Sequence, residues 1–197
     1  MPQKGIDKQT VLEAAISMVA EGGYGSFSMH RLAARLGVKT ASLYNHVESV
    51  AEVNMAVARR AVSELRSALD EAAYGISEPR AALKTLAVAY RQYAHENPEL
   101  YQVIINLPLL EDRQIMELGK EIIEPMMRPL AHWAGSRQEQ LHCARSLRSM
   151  LHGFVALEAT GYFESAEASA DDSYGFMIDT FLNGLPHNTT DKNNQLD

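Results

Sequence analysis

One cysteine and one tryptophan stand among 197 residues, and the scarcity of cysteine closes several classes of protein. Cys143 alone cannot form an internal disulfide, and a thiolate metal site needs two or more such groups. A reducing cytoplasm is the compartment this usage implies, with Cys143 as a small core residue. No apolar run approaches the roughly 20 residues that span a bilayer. Met1-Pro2-Gln3-Lys4-Gly5 leads into an amphipathic stretch without a secretory apolar core. A membrane is therefore not an expected partner. Missing too are a glycine-rich phosphate loop, a histidine pair of the H-E-x-x-H kind and a nucleophile elbow around serine. Neither catalytic residues, nor a metal, nor a cofactor are expected, and the chain does not read as an enzyme. Strand-type alternation and internal repeats are also absent. With 46% hydrophobic and 22% charged residues, the chain reads as an ordinary globular protein built of helices.

The most local absence is that of acid. The formal net charge is -7, yet residues 1–60 carry seven cations against five acids, which leaves -9 for the remainder. Between Ser28 and Val47 stand Arg31, Arg35, Lys39, His30 and His46, with no acid at all. A short basic surface on an acidic protein is a local field, and an anionic partner responds to local field.

Helical periodicity organises this region. Val11, Leu12, Ala15, Ile16, Met18 and Val19 predict a helix from about Asp7 to Glu21, ended by Gly22, Gly23 and Gly25. Ser28 is placed to cap a short helix carrying Met29, Leu32, Ala33 and Leu36, which Gly37 breaks. Thr40 is expected to cap another short helix through Val47. A longer helix then starts at Glu48 or Ser49, with Val50, Val53, Val57, Ala61 and Leu65 on its apolar side. Two short helices around a glycine turn suit a helix-turn-helix, in which the first braces the second in the DNA major groove. Ala33, Gly37, Val38 and Leu43 supply the close contact, the turn and the apolar anchors. Lys39, Thr40, Ala41, Ser42 and Asn45 supply short or polar groups facing out.

Beyond Asp70 the helices lengthen. Gly75–Pro79 is the expected boundary, with Ser77 capping and Pro79 at a first helical position. Leu83, Leu86, Ala87, Tyr90, Tyr93 and Ala94 form the next stripe, which Asn97-Pro98 breaks. A helix from Glu111 is expected to bend at Pro125 and Pro129. A long helix is predicted over about Gln138–Phe163, and a last one over about Ala170–Leu182. The boundaries read from sequence are 1–48 for the helix-turn-helix domain, 49–74 for a connecting helix, 75–185 for a C-terminal domain and 186–197 for a polar tail. The sequon at Asn188 reads as chance.

The stretch "FSMHRLAARLGVKTASLYNHVESVAEV", Phe27 to Val53, resembles the DNA-binding segment of the tetracycline-repressor (TetR) family of bacterial transcriptional regulators. The matching elements are Ser28, "LAARLGV" at Leu32–Val38, and "LYNHV" at Leu43–Val47. The resemblance covers about residues 7–66. It implies an all-α fold of about nine helices: an N-terminal three-helix domain that binds DNA, and a helical domain that binds a small-molecule effector and forms a homodimer. It further implies that Tyr44 and His46 grip phosphates, with Lys39 and Ser28 as further backbone contacts. Thr40, Ala41, Ser42 and Asn45 would face bases, and His30 would reach in from the preceding helix. The implied partner is a palindromic double-stranded operator, and the implied regulation is repression. One position departs from the pattern. Where the family has a basic residue at the start of the following helix, this chain has Val50, and Glu48 lies just before it. An interaction module that has lost DNA binding is the alternative those two residues raise.

In the larger half, "SMLHGFVALEATGYF", Ser149 to Phe163, resembles the His-Gly signature of regulators whose C-terminal domain is named for Trp-His-Gly, with the tryptophan position replaced. Ser149, Gly153, Ala156 and Thr160 form a stripe of small side chains suited to a dimer contact. Tyr90, Tyr93, Tyr101, Met126, Trp133, Met150, His152 and Phe154 are the candidate lining of an effector pocket. Met127 is a further candidate, and packing in the core is the competing role for most of them.

Overall fold

The computed structural model describes residues 6–106, 113–164 and 167–185. Every regular element among them is helical. In chain order these are α1 (Lys8–Gly22), a 3-10 turn (Tyr24–Ser26), α2 (Met29–Leu36), α3 (Thr40–Leu43), α4 (Val50–Ala73), α5 (Pro79–Glu96), α6 (Pro98–Asn106), α7 (Arg113–Leu130), α8 (Arg137–Glu158) and α9 (Ala170–Asn183). None of these helices is long and apolar enough to cross a membrane.

Local chemistry sets the helix starts. The first amides of a helix lack intrahelical partners, so a side-chain oxygen just before them is stabilising. Asp7 accepts from the Thr10 amide at 2.8 Å, Ser28 from Arg31 at 3.2 Å and Ser169 from Asp172 at 3.0 Å. Ser136 and Glu139 form a reciprocal capping box at the start of α8. Two expected caps are corrected. The α5 start is capped by the Glu78 carboxylate, which accepts from the Arg80 amide at 2.8 Å and from the Ala81 amide, rather than by Ser77. Helix α3 starts at Thr40 itself, so the capping position is Lys39, which makes no side-chain cap.

The chain divides into two compact units. Among the described residues, the first comprises 6–65, 93–106 and 113–118, so a segment assigned from sequence to the C-terminal domain groups with the N-terminal helices. Packing within the unit supplies the reason. The Tyr93 hydroxyl donates to the Ala61 carbonyl at 3.2 Å, and burial pushes its pKa well above that of an ordinary phenol. Helix α6 packs against α1, burying Leu100, Tyr101, Val103 and Ile104. At the end of α1, Gly23 has φ 68° and ψ -179°, and the Glu99 carboxylate occupies the place a Cβ would take. Glycine is required there by conformation, and the end of the Glu99 side chain fills the space that the missing Cβ leaves.

Among the described residues, the second unit comprises 66–92, 119–164 and 167–185. Within α7, Pro125 lacks the amide that would bond the Glu121 carbonyl. The Arg66 guanidinium donates to that carbonyl at 3.4 Å, and Arg148 donates to the Gly119 carbonyl nearby at 3.1 Å. The expected start of this helix at Glu111 lies outside the described residues. Helix α8 ends at Glu158 rather than Phe163, because the Gly161 amide turns back to the Glu158 carbonyl and Gly161 takes φ 75°. The 186–197 tail, Asn188 included, also lies outside the described residues.

Candidate nucleic-acid interface

Helices α1, α2 and α3 with the start of α4 enclose a core of Val11, Ala15, Met18, Met29, Leu32, Ala33, Leu43, Val47 and Val53. Leu32 and Leu43 are fully buried, and each such side chain stabilises the fold by roughly 1.5–3 kcal/mol. The chain turns from α2 to α3 through a Schellman motif. Gly37 takes φ 68°, ψ 27°, its amide bonds the Ala34 carbonyl at 3.1 Å, and the Val38 amide bonds the Ala33 carbonyl at 3.0 Å. A left-handed residue there turns the chain sharply enough for the short α3 to pack back on α2.

That packing decides which side chains are left outside. Helix α3 is shorter than expected, ending at Leu43, and Tyr44, Asn45 and His46 form a turn rather than another helical turn. The cause is visible in the backbone: the Asn45 and His46 amides bond carbonyls three residues back, at 3.3 and 2.9 Å. With Leu43 and Val47 pinned in the core, Lys39, Ala41, Tyr44 and Asn45 are exposed and Thr40, Ser42 and His46 are half-buried. Tyr44 is 49% exposed, a high value for a large aromatic side chain with no core role. Ser28 and His30 are also exposed on the preceding segment.

The electrostatics are thinner than the acid-free stretch suggested. Arg35, one of its three cations, is held by Glu21 of α1 through two hydrogen bonds of 2.7 and 2.6 Å, and also reaches the Ser17 hydroxyl at 3.0 Å. The Arg35 guanidinium and the Ser17 hydroxyl lower the Glu21 pKa to about 2. Arg31 folds back onto the carbonyls of Gly25 and Ser26, at 3.4 and 3.2 Å. Among the described residues, no ion pair engages Lys39. Glu52, near the α4 start, accepts from the Glu48 amide at 2.7 Å and pairs with Lys8, and Val50 is 40% exposed. No sequence signal pairs Arg35 with Glu21, since the two lie 14 positions apart on different helices.

The candidate effector residues are spread over both units. Tyr93 and Tyr101 lie in the first, and Tyr90, Met126, Met127, Trp133, Met150, His152 and Phe154 lie in the second. Tyr90, Tyr93, Tyr101, Met126, Met127 and Phe154 are buried, whereas Trp133, Met150 and His152 are half-buried. Phe154 stacks on Phe163 with centroids 4.4 Å apart and meets the Tyr174 ring edge-on at 4.9 Å. Trp133 packs against the His132 ring. Burial, and then Arg148, hold the His152 imidazole below its ordinary pKa. Cys143 is half-buried rather than fully in the core, and burial raises its thiol pKa. On α8, Ser149 is exposed and Gly153 and Ala156 are half-buried, on the side away from buried Leu147, Leu151 and Phe154, and Thr160 is exposed just past the helix end.

Two short helices about a left-handed glycine, an apolar anchor behind and polar groups in front define a helix-turn-helix protein. The comparisons with known proteins carry this to a family. The family described as "Bacterial regulatory proteins, tetR family" matches residues 11–49, and "Tetracyclin repressor-like, C-terminal domain" matches residues 83–181. The uncharacterized HTH-type transcriptional regulator Rv0681 of Mycobacterium tuberculosis is 30% identical over 186 residues, covering 94% of this chain and 84% of that protein. A Rhodococcus protein of unknown function shares the fold with TM-score 0.79 at 23% identity, over 95% of this chain and 100% of its own. So does a single-residue variant of TetR from Acinetobacter baumannii AYE, solved in complex with minocycline, with TM-score 0.63 at 19% identity, over 91% and 96%. The chain belongs to the TetR family of DNA-binding transcriptional regulators, and is not an enzyme.

Proposed function

We propose that this protein is a ligand-responsive repressor that binds a palindromic operator as a homodimer. The observation that carries the reading is the surface left outside when Leu43 and Val47 enter the core. In this reading Thr40, Ala41, Ser42 and Asn45 face base edges, with Ala41 limited to apolar contact such as a thymine methyl. Lys39, Tyr44, His46 and Ser28 hold the phosphate backbone, and His30 approaches from α2. Phosphate contacts position the protein and groove contacts specify sequence. Two copies related by a two-fold axis place their recognition helices about one DNA turn apart, which makes the operator palindromic.

The stripe Ser149, Gly153, Ala156 and Thr160, on the outward side of α8 and its end, supports that helix as a dimer contact. A small-molecule effector would act by favouring the dimer conformation whose recognition helices no longer fit adjacent grooves. Only a difference in affinity for the two conformations can drive that release. That a fold relative is solved with minocycline supports a small molecule as the effector class. The exposed Val50, Glu48 beside it and the pairing of Arg35 favour a second reading, a dimerising interaction module without DNA binding. Polarisation assays with Tyr44→Ala separate the two. A DNA reader loses operator affinity with its dimer intact, and a pure scaffold shows no operator affinity to lose.

A further inference from the structure

Helix α9 lies antiparallel along α5 within the second unit, joined by rungs that descend α5 as they ascend α9. Arg91 meets Asp171 at 2.7 Å. The Tyr174 hydroxyl donates to the Ala87 carbonyl at 2.6 Å. Lys84 meets Asp179 at 2.6 Å, and Arg80 reaches Asp179 at 3.3 Å and Asn183 at 2.8 Å. Cations lie on one side of this zipper and acids on the other. The rungs are unequal. Lys84, Arg80 and Asp179 are 36–47% exposed in their side chains, whereas Arg91 and Glu158 are each 16% exposed. The Arg91 guanidinium bonds the Glu158 carboxylate at the end of α8 through Nε, at 2.9 Å, and through Nη2. It also lies 4.9 Å from the Tyr174 ring centroid and 5.9 Å from that of Phe154. One side chain of α5 thereby touches the last turn of α8 and the first turns of α9.

The geometry points to Arg91 as the positioning residue that fixes the register of α9 against α5 and α8. Burial of Tyr174, Ile178 and Leu182 holds α9 in place, and the Tyr174–Ala87 bond with the more exposed Asp179 rungs adds register contacts of its own. A fork that satisfies two carboxylates and stacks on a ring chooses most sharply, because a slip of one turn breaks all of these contacts together. Glu158, 16% exposed in its side chain, is the more shielded arm and dominates. Asp171, 85% exposed, contributes little because solvent screens it. The register also sets which face of α9, with Phe176 exposed at 75%, is turned outward. On this point the inference rests on the proposed homodimer.

Hydrogen exchange of the full chain tests it. Arg91→Ala and Arg91→Lys should each raise amide exchange across residues 170–183 by tenfold or more, leaving α1 to α3 unchanged. Lysine fails like alanine because a single ammonium can neither reproduce the two-point fork on Glu158 nor stack as a plane on Tyr174. Glu158→Gln should follow Arg91→Lys, and Asp171→Asn should change exchange less than threefold. Exchange in α9 that stays at the wild-type level in Arg91→Lys and Glu158→Gln overturns the assignment, as does a rise spread equally over all helices. Sedimentation velocity on the same samples should show self-association weakened at least fivefold in Arg91→Lys, since Glu158, the partner of Arg91, lies between Ala156 and Thr160 of the proposed dimer stripe. A wild-type chain that stays monomeric at every concentration refutes the homodimer reading, while the exchange pattern still decides whether Arg91 holds α9 in place.

Discussion

Arg35 and Glu21 face each other across α1 and α2, the guanidinium giving two hydrogen bonds to one carboxylate at 2.7 and 2.6 Å. The pair ties the bracing helix to its neighbour and removes one cation from the surface proposed to meet DNA. Arg35→Ala should therefore change operator affinity less than threefold. Lys39→Ala should weaken binding by a similar factor on every sequence and lower the salt slope by about one. Polarisation titrations over a salt series check both.

The same pair sets an acid-sensitive contribution to stability. The Glu21 pKa is lowered from 4.5 to about 2, so the folded state holds the ionised form more strongly than the unfolded chain does. The contribution is then fully present above pH 4.5 and is lost as the pH falls through about 2. Urea unfolding of wild type and Glu21→Gln should differ modestly at neutral pH, since both partners are exposed. The difference should shrink below about pH 4.5 and vanish near pH 2. A difference that grows in acid contradicts this.

Gly23 and Gly37 share φ 68° and differ in what surrounds them. Nothing lies within 4 Å of a Cβ placed on Gly37, whereas the Glu99 carboxylate fills that place at Gly23. Gly37→Ala should cost about 1–2 kcal/mol, from the left-handed backbone alone. Gly23→Ala should cost more, at about 1–3 kcal/mol, because φ 68° with ψ -179° is a region nearly exclusive to glycine, while the end of the Glu99 side chain can swing aside. Thermal or urea denaturation ranks the two.

Leu43 separates folding from recognition. It is fully buried while the neighbouring Tyr44 is 49% exposed. Leu43→Ala should destabilise the protein by about 2–5 kcal/mol. Tyr44→Ala should stay within about 0.5 kcal/mol of wild type, so any loss of DNA affinity in Tyr44→Ala is a lost contact and not a lost fold.

Much of this was legible along the chain, wherever the signal is local. Asp7 marks the start of α1, Ser28 caps α2, Pro79 opens α5, and Asn97-Pro98 separates α5 from α6. The apolar period found the buried face of α5, from Leu83 to Ala94. Ser136 and Glu139 carry a readable capping-box spacing that the periodicity-based start at Gln138 passes over. Glu78 takes the capping role from Ser77 because its longer side chain reaches back to two amides. What pattern could not supply is pairing at a distance. Arg35 with Glu21 spans 14 positions, Arg91 with Glu158 spans 67 and Tyr174 with Ala87 spans 87. Such partners are chosen by tertiary packing, so a count of charges along the chain overstated the unpaired cations around the proposed DNA face.

The most direct test is the binding of wild type and Tyr44→Ala, at low salt, to genomic fragments selected by the wild-type protein and to random duplex of equal length. The wild type should prefer a palindromic fragment by at least a hundredfold over random DNA, and Tyr44→Ala should lose at least tenfold on that fragment with its sedimentation unchanged. Equal affinity of the wild type for every duplex contradicts the assignment of residues 39–46 as a sequence-reading surface.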